Sequence, residues 1–165
     1  MYHLQPNSPD RVVSRDRRFQ RMAATLAALR ILVGLLWLTN LLWKLPPDFG
    51  RNDPRGLYHY LVVADQHALG PVRTLAHHVL VPHATAAGWL VFTVELIAGL
   101  LLLLGWHTRI GAALGLAQAI VITLMVAGAP GEWRWGYVML IALNAVPLAA
   151  PANLRLSVDA ALGRS

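Results

Sequence analysis

Two ionisable side chains, Arg30 and Glu95, fall inside long apolar stretches of this sequence, and a third, Lys44, closes the first of them. Charged groups in hydrocarbon are costly, so each marks a functional site or a polar lock. Arg30, Gly34, Trp37, Leu41 and Lys44 are spaced four, three, four and three apart, which sets them on one stripe of a helix. Gly88, Phe92, Glu95, Gly99 and Trp106 form a second stripe. At about 1.5 Å per residue, Arg30 stands roughly 10 Å above the inner boundary and Glu95 roughly 12 Å below the outer one. Helical side chains lean toward their own N-terminus, so Arg30 leans inward, Glu95 outward, and Lys44 inward from the rim. The closer contact expected is therefore Lys44–Glu95. Arg30–Glu95 is the alternative, with Arg30 otherwise snorkelling inward or meeting a ligand.

Two roles are open to this constellation. It either fixes helix register or shapes a polar pocket for a quinone headgroup, a proton or an anionic substrate. A quinone needs an apolar slot, an aromatic wall such as Trp37, and a polar group for each carbonyl. Gln118 and Asn144, in the third and fourth apolar stretches, add hydrogen-bonding capacity to either role. Gly34, Gly99, Gly111 and Gly115 are small positions at which helices can approach closely.

His59, His67, His77, His78 and His83 crowd one segment, and imidazole is a common metal ligand. Their spacing matches no tight site, and the adjacent pair His77 and His78 point apart on a helix, so no metal is expected. No histidine falls inside an apolar stretch, which argues against a haem held across a bundle. The chain has no cysteine, which excludes disulfides, thiolate metal sites, iron–sulfur clusters and thiol redox chemistry. Electrons for any redox reaction would come from a partner.

The elements that carry these residues follow from composition. Of 165 residues, 56% are hydrophobic and only 13% charged, with a mean hydropathy of +0.50. Soluble domains average roughly 45–50% apolar and about 25% charged, so lipid is the expected solvent. A spanning helix needs roughly 20 apolar residues to cross about 30 Å of hydrocarbon. Residues 23–43, 87–106 and 110–128 qualify, and 136–150 is a shorter fourth stretch in which Pro147 marks a stop or kink. The expectation is an all-α, integral membrane four-helix bundle over residues 23–150, with a basic arm at 1–22 and a tail at 151–165.

Arg11, Arg15, Arg17, Arg18, Arg21, Arg109, Arg155 and Arg164 fall on one side of it. Lys44, Arg51, Arg55, Arg73 and Arg134 fall on the other. The positive-inside bias then puts both termini in the cytoplasm, and Trp43, Trp89, Trp133 and Trp135 form an outer aromatic belt. The first apolar run exceeds the roughly 7–15 residues of a signal core, so a retained span is expected. Beside that span the basic arm sets topology and touches anionic lipid; no nucleic-acid partner is expected.

The outer loop, residues 46–86, carries helix signals of its own. Asp53-Pro54 reads as a helix start, Gly70-Pro71 as the end of one helix and the start of another, and Pro82 as a stop. Leu57, Leu61, Ala64 and Ala68 recur at helical spacing, as do Val72, Leu75 and Val79. The first stripe is the weaker, since alanine buries little. Two short amphipathic helices on the outer membrane face are expected.

Together these residues resemble a known family. The first stretch reads Leu29-Arg30-Ile31-Leu32-Val33-Gly34 and ends at Lys44-Leu45. The second reads Glu95-Leu96-Ile97-Ala98-Gly99, then Leu104-Gly105, then Thr108-Arg109. This resembles the DoxX family of small four-span bacterial membrane proteins, which includes the DoxD-like small subunit of thiosulfate:quinone oxidoreductase. The likeness covers roughly residues 24 to 150. Where the family often has a glycine shortly before the lysine, this chain has Thr39-Asn40-Leu41.

The resemblance implies a bacterial inner-membrane subunit of a quinone-linked oxidoreductase. Its soluble or membrane partner would hold the redox cofactor, and quinone is the one cofactor this chain would meet. Two alternatives are a non-catalytic scaffold for a soluble enzyme and a small transporter. Four spans with so few polar positions would need a homo-oligomer to build a transport path.

Overall fold

A computed structural model describes residues 9–150 and 156–163, with side chains from Arg17 onward. Every regular element among the described residues is helical. Helix α1 spans Pro9–Asn40 and continues as a 3₁₀ turn, Leu41–Trp43. The loop contributes α2, Leu57–His67, and α3, Gly70–Leu75, which passes into a π turn at Ala76–Leu80. Helices α4 (Ala84–Leu104), α5 (Thr108–Val126) and α6 (Arg134–Ala149) follow, and a short α7, Val158–Ala161, ends the described chain. The basic arm is thus helical from Pro9 and continuous with the first apolar stretch.

Helix α1 packs on α4, α4 on α5, α5 on α6, and α6 closes back on α1. Among the described residues, three helical segments have the length and apolarity of a membrane span: Arg17–Trp43, Ala84–Leu104 and Thr108–Val126. Helix α6 is apolar but only 16 residues long. Large apolar side chains such as Leu32, Leu90 and Ile110 stand exposed on the bundle's outer surface, as membrane helices require. One buried layer joins Val33, Trp37, Leu102, Ala112 and Ala119. A second, at the end of the bundle that carries the loop, joins Phe49, Leu57, Leu61 and Ala87.

Two backbone approaches set the α1–α4 geometry. A Cβ on Gly34 would lie 2.6 Å from the Leu103 amide nitrogen and 2.9 Å from the Gly99 carbonyl oxygen, so only glycine allows this crossing. Helix α4 stops at Leu104 because Gly105 turns left-handed at φ +66°. A side chain there would stand 1.6 Å from Arg30 Nη1.

The loop departs from sequence expectation in two places. Helix α2 starts at Leu57, not at Asp53-Pro54, because the Asp53 carboxylate is already engaged. It accepts the Arg55 backbone N–H at 2.8 Å and the Arg55 guanidinium at 3.2 and 3.3 Å, which makes a turn in place of a cap. The second departure concerns which stripe is buried. Leu57, Leu61, Ala64 and Ala68 are all buried, whereas Leu75 and Val79 are 48% and 46% exposed. The wider spacing of the π turn brings Leu80 round in place of Val79, so that Val72 and Leu80 pack on Ala64, Ala68 and Ala76. Helix α2 itself lies against α4 and α5 and roofs the bundle.

Candidate functional site

Glu95 is wholly buried at the middle of α4. Lys44 Nζ donates to its Oε1 at 2.6 Å, and Gln118 Nε2 donates to the same oxygen at 3.4 Å. Asn40 Nδ2 donates to Oε2 at 3.5 Å. Three donors from α1 and α5 thus converge on one carboxylate. Asn40 closes α1 and Lys44 caps the 3₁₀ turn that follows it, which brings both to Glu95. Lys44 also ends its helix, where a cation complements the terminal carbonyls.

Beside this cluster lies a cavity of about 650 Å³, within the roughly 300–1,000 Å³ of small-molecule sites. Asn40, Lys44 and Gln118 form one polar part of its wall. Tyr60 of α2 and Tyr137 of α6 add hydroxyl-bearing side chains, and apolar residues including Leu61, Val94, Leu114 and Met125 complete it. Glu95 is not in the wall. It stands behind and holds three residues that are.

Arg55 and Trp43 also line the cavity, with the Arg55 guanidinium 3.5 Å above the Trp43 ring. Side-chain hydrogen bonds from Arg55, and then its backbone N–H, hold the Asp53 carboxyl below the ordinary range. Burial pushes the Tyr60 phenol up, and the nearby Glu132 carboxylate adds to the effect. The Tyr137 hydroxyl donates to Glu132.

The other sequence-selected residues fall elsewhere. Trp37 Nε1 donates to Asn144 Oδ1 at 2.9 Å, and Asn144 Nδ2 donates to the Leu140 carbonyl at 2.8 Å. This pair is sealed in the core and does not line the cavity, so Trp37 is not its aromatic wall. Gly115 makes room for it, since a Cβ there would stand 2.2 Å from Asn144 Oδ1. Gly111 lies against Leu101 at the α4–α5 contact. Arg30 is fourteen residues before Lys44, about 21 Å along the helix, and its Nη2 donates to the Leu156 carbonyl at 2.6 Å. The structure thus gathers Lys44, Glu95 and Gln118, and sets Trp37–Asn144 and Arg30 apart from them.

Asn40, Tyr60 and Tyr137 were not singled out by sequence reasoning. For Asn40 a signal existed, one helical turn before Lys44. Tyr60 is half-buried beside the buried Leu57 and Leu61 of α2, where its hydroxyl could have been noticed; Tyr137 carried no comparable cue. Among the described residues no three of His, Asp and Glu come together in a way that could hold a metal. His77 Nδ1 instead lies 2.9 Å from Asp65 Oδ1.

No curated protein and no solved structure matches the chain. A family model described as the TQO small subunit DoxD matches residues 25–165, which takes in α1 from residue 25 onward, the loop, the remaining helices and the tail. The chain belongs to the DoxD family.

Proposed function

We propose that this chain is the membrane subunit of a quinone-linked oxidoreductase, and that the cavity beneath α2 takes the quinone headgroup. One observation carries the reading: Asn40, Lys44 and Gln118 bring hydrogen-bond donors to the wall of an otherwise largely apolar cavity, all three anchored by one buried carboxylate. Quinone carbonyls only accept hydrogen bonds, and these three groups, with the Tyr60 hydroxyl, can supply donors. Family membership supports the same reaction class.

Quinone reduction consumes two electrons and two protons. The electrons come from a partner oxidoreductase, since a chain without cysteine offers no dithiol or iron–sulfur relay. Lys44 Nζ is a charged hydrogen-bond donor in the wall, as is the Arg55 guanidinium. The contact of Lys44 with Glu95 leaves it further N–H groups to direct at a carbonyl oxygen, while both protons are drawn ultimately from water. Glu95 acts as a positioning residue. Leu90 and Val121, both cavity-lining, are 66% and 45% exposed on the outside of α4 and α5, which suits access from the bilayer for a lipid-soluble ligand.

In this reading the chain lies in a bacterial cytoplasmic membrane, crosses it four times, and keeps both termini in the cytoplasm. At 16 residues α6 covers about 24 Å, short of the 30 Å hydrocarbon core. Trp133 and Trp135, 66% and 67% exposed at its start, anchor that end at the interface.

Binding of a quinone analogue to the purified protein in lipid nanodiscs tests the proposal. Lys44→Met and Gln118→Leu should each weaken binding by about tenfold or more, as loss of a ligand hydrogen bond does. Failure of every form to bind removes the reading. A partner that then co-purifies, and survives Glu95→Gln but not deletion of the loop, would identify the chain as an anchor.

A further inference from the structure

At the opposite end of the bundle, around the α4–α5 turn, a buried cation is only partly satisfied among the described residues. Arg30 is 0% exposed, and its Nε and Nη1 have no hydrogen-bond partner among the described residues. The guanidinium presses on the bare Cα of Gly105, next to the N-terminus of the 19-residue helix α5. That N-terminus has no cap from its own His107 side chain. Its donors go to the tail: Asp159 Oδ1 accepts the His107 N–H at 3.1 Å, and Asp159 Oδ2 accepts the Thr108 N–H at 3.3 Å and the Thr108 hydroxyl at 3.5 Å. Asp159 is also near enough to act electrostatically on Arg30. The tail completes its hold with the Leu156 carbonyl on Arg30 Nη2 at 2.6 Å and the Asp159 N–H on the Gly105 carbonyl at 3.1 Å.

These contacts are polar, and the tail adds little apolar burial to them. Leu156, Leu162 and Val158 are 77%, 57% and 38% exposed. A carboxylate at a helix N-terminus, beside a buried guanidinium with two idle nitrogens, occupies the place an anion would take. A buried arginine whose hydrogen bonds among the described residues reduce to one backbone carbonyl, with Asp159 near it, is costly to maintain unless another state satisfies it.

We propose that the α4–α5 turn carries a second site, for a phosphate or carboxylate oxyanion bound by Arg30 and the N-terminus of α5, and that the chain's own tail fills this site through Asp159. An oxyanion of either source, a soluble ion or the headgroup of an anionic lipid, competes with the tail and releases it. The site is independent of the quinone reading and lies at the other end of the bundle from the cavity.

The test uses the full chain in nanodiscs of zwitterionic phosphatidylcholine, with inorganic phosphate as the soluble probe. Hydrogen exchange over residues 156–163 reports tail release. At ten times the dissociation constant the tail should open about tenfold more often. Replacing part of the lipid by phosphatidylglycerol, with no phosphate present, asks whether a headgroup does the same; acceleration in either arm supports the site and names its source. Asp159→Asn weakens the competitor and should bind phosphate more tightly than the unaltered chain, while Arg30→Lys, which keeps the charge but loses the fork, should bind it less well. Unchanged exchange in both arms overturns the proposal and leaves the tail a fixed clasp. Should Asp159→Asn fail to fold, exchange in the unaltered chain still decides.

Discussion

Glu95 gathers three donors on two oxygens without touching the cavity, and that arrangement has separable consequences. Glu95→Gln leaves Lys44 buried without its carboxylate, and breaking such a pair costs about 3–5 kcal/mol. The double variant Glu95→Gln with Lys44→Met removes both charges and should recover much of that loss. Thermal unfolding of the single and double variants in nanodiscs measures it, and a double variant no more stable than the single would discredit the pair as a coupled unit. The Trp37–Asn144 pair makes the opposite case. Asn144→Ala leaves the indole N–H buried without an acceptor and should cost about 1–3 kcal/mol of stability while ligand affinity holds. Gln118→Leu should do the reverse, and equal effects of the two on binding would merge lock and site. Side-chain lean along antiparallel helices made the Lys44–Glu95 contact legible in the sequence, because direction and depth follow from span order alone. The exclusion of Trp37 from the cavity was not legible, since a stripe gives a face and not the neighbour that seals it. The Asn40 contact with Glu95 falls within Thr39-Asn40-Leu41, one turn before Lys44.

Helices α1 and α4 meet through Gly34 and Gly99, and the tolerance of that crossing is narrow. Gly34→Ala pushes a Cβ against the Leu103 backbone and should cost about 1–3 kcal/mol, read as a lowered unfolding midpoint. An unchanged midpoint would mean the helices slide apart freely. The roof helix α2 has a different sensitivity, through Tyr60. Its folded pKa is raised above the unfolded value of about 10, chiefly by burial and then by Glu132, so the folded state holds the proton more tightly. That contribution is complete below the unfolded value and is lost as pH rises through the folded one. Tyr60→Phe should therefore lose less stability than the unaltered chain as pH is raised from about 9 to 11; parallel losses would count against a buried phenol. The long helices were readable because unbroken apolar runs of about 20 residues admit few other structures. The loop was harder. Helical periodicity located α2 and α3, but the Asp53–Arg55 turn and the π turn at Ala76–Leu80 depend on local hydrogen bonds that periodicity does not encode.

Taken whole, the chain places its polar chemistry at its two ends, with the cavity under the loop helices and the clasped arginine at the α4–α5 turn. Helix α6 decides whether those ends face opposite compartments. It starts at the loop end, with Trp133 before it and Trp135 in its first turn, and finishes at Ala149, after which Ala150 packs on Ala23 of α1, so it runs the length of the bundle despite its 16 residues. If it crosses the membrane, the arm and the tail share one side and the loop takes the other. The absence of cysteine makes the question clean, because single cysteines introduce the only reactive thiols. Gln20, Asn52 and Leu162 are exposed positions in the arm, the loop and the tail. In intact cells a membrane-impermeant maleimide should label Asn52→Cys and spare Gln20→Cys and Leu162→Cys, both of which should react after permeabilisation. The excess of arginine in the arm predicts this direction through the positive-inside bias. Labelling of Leu162→Cys alongside Asn52→Cys would mean that α6 does not cross, and would move the Arg30 site away from the compartment of the arm. Labelling of Gln20→Cys instead of Asn52→Cys would invert the protein and turn its cavity toward the cytoplasm.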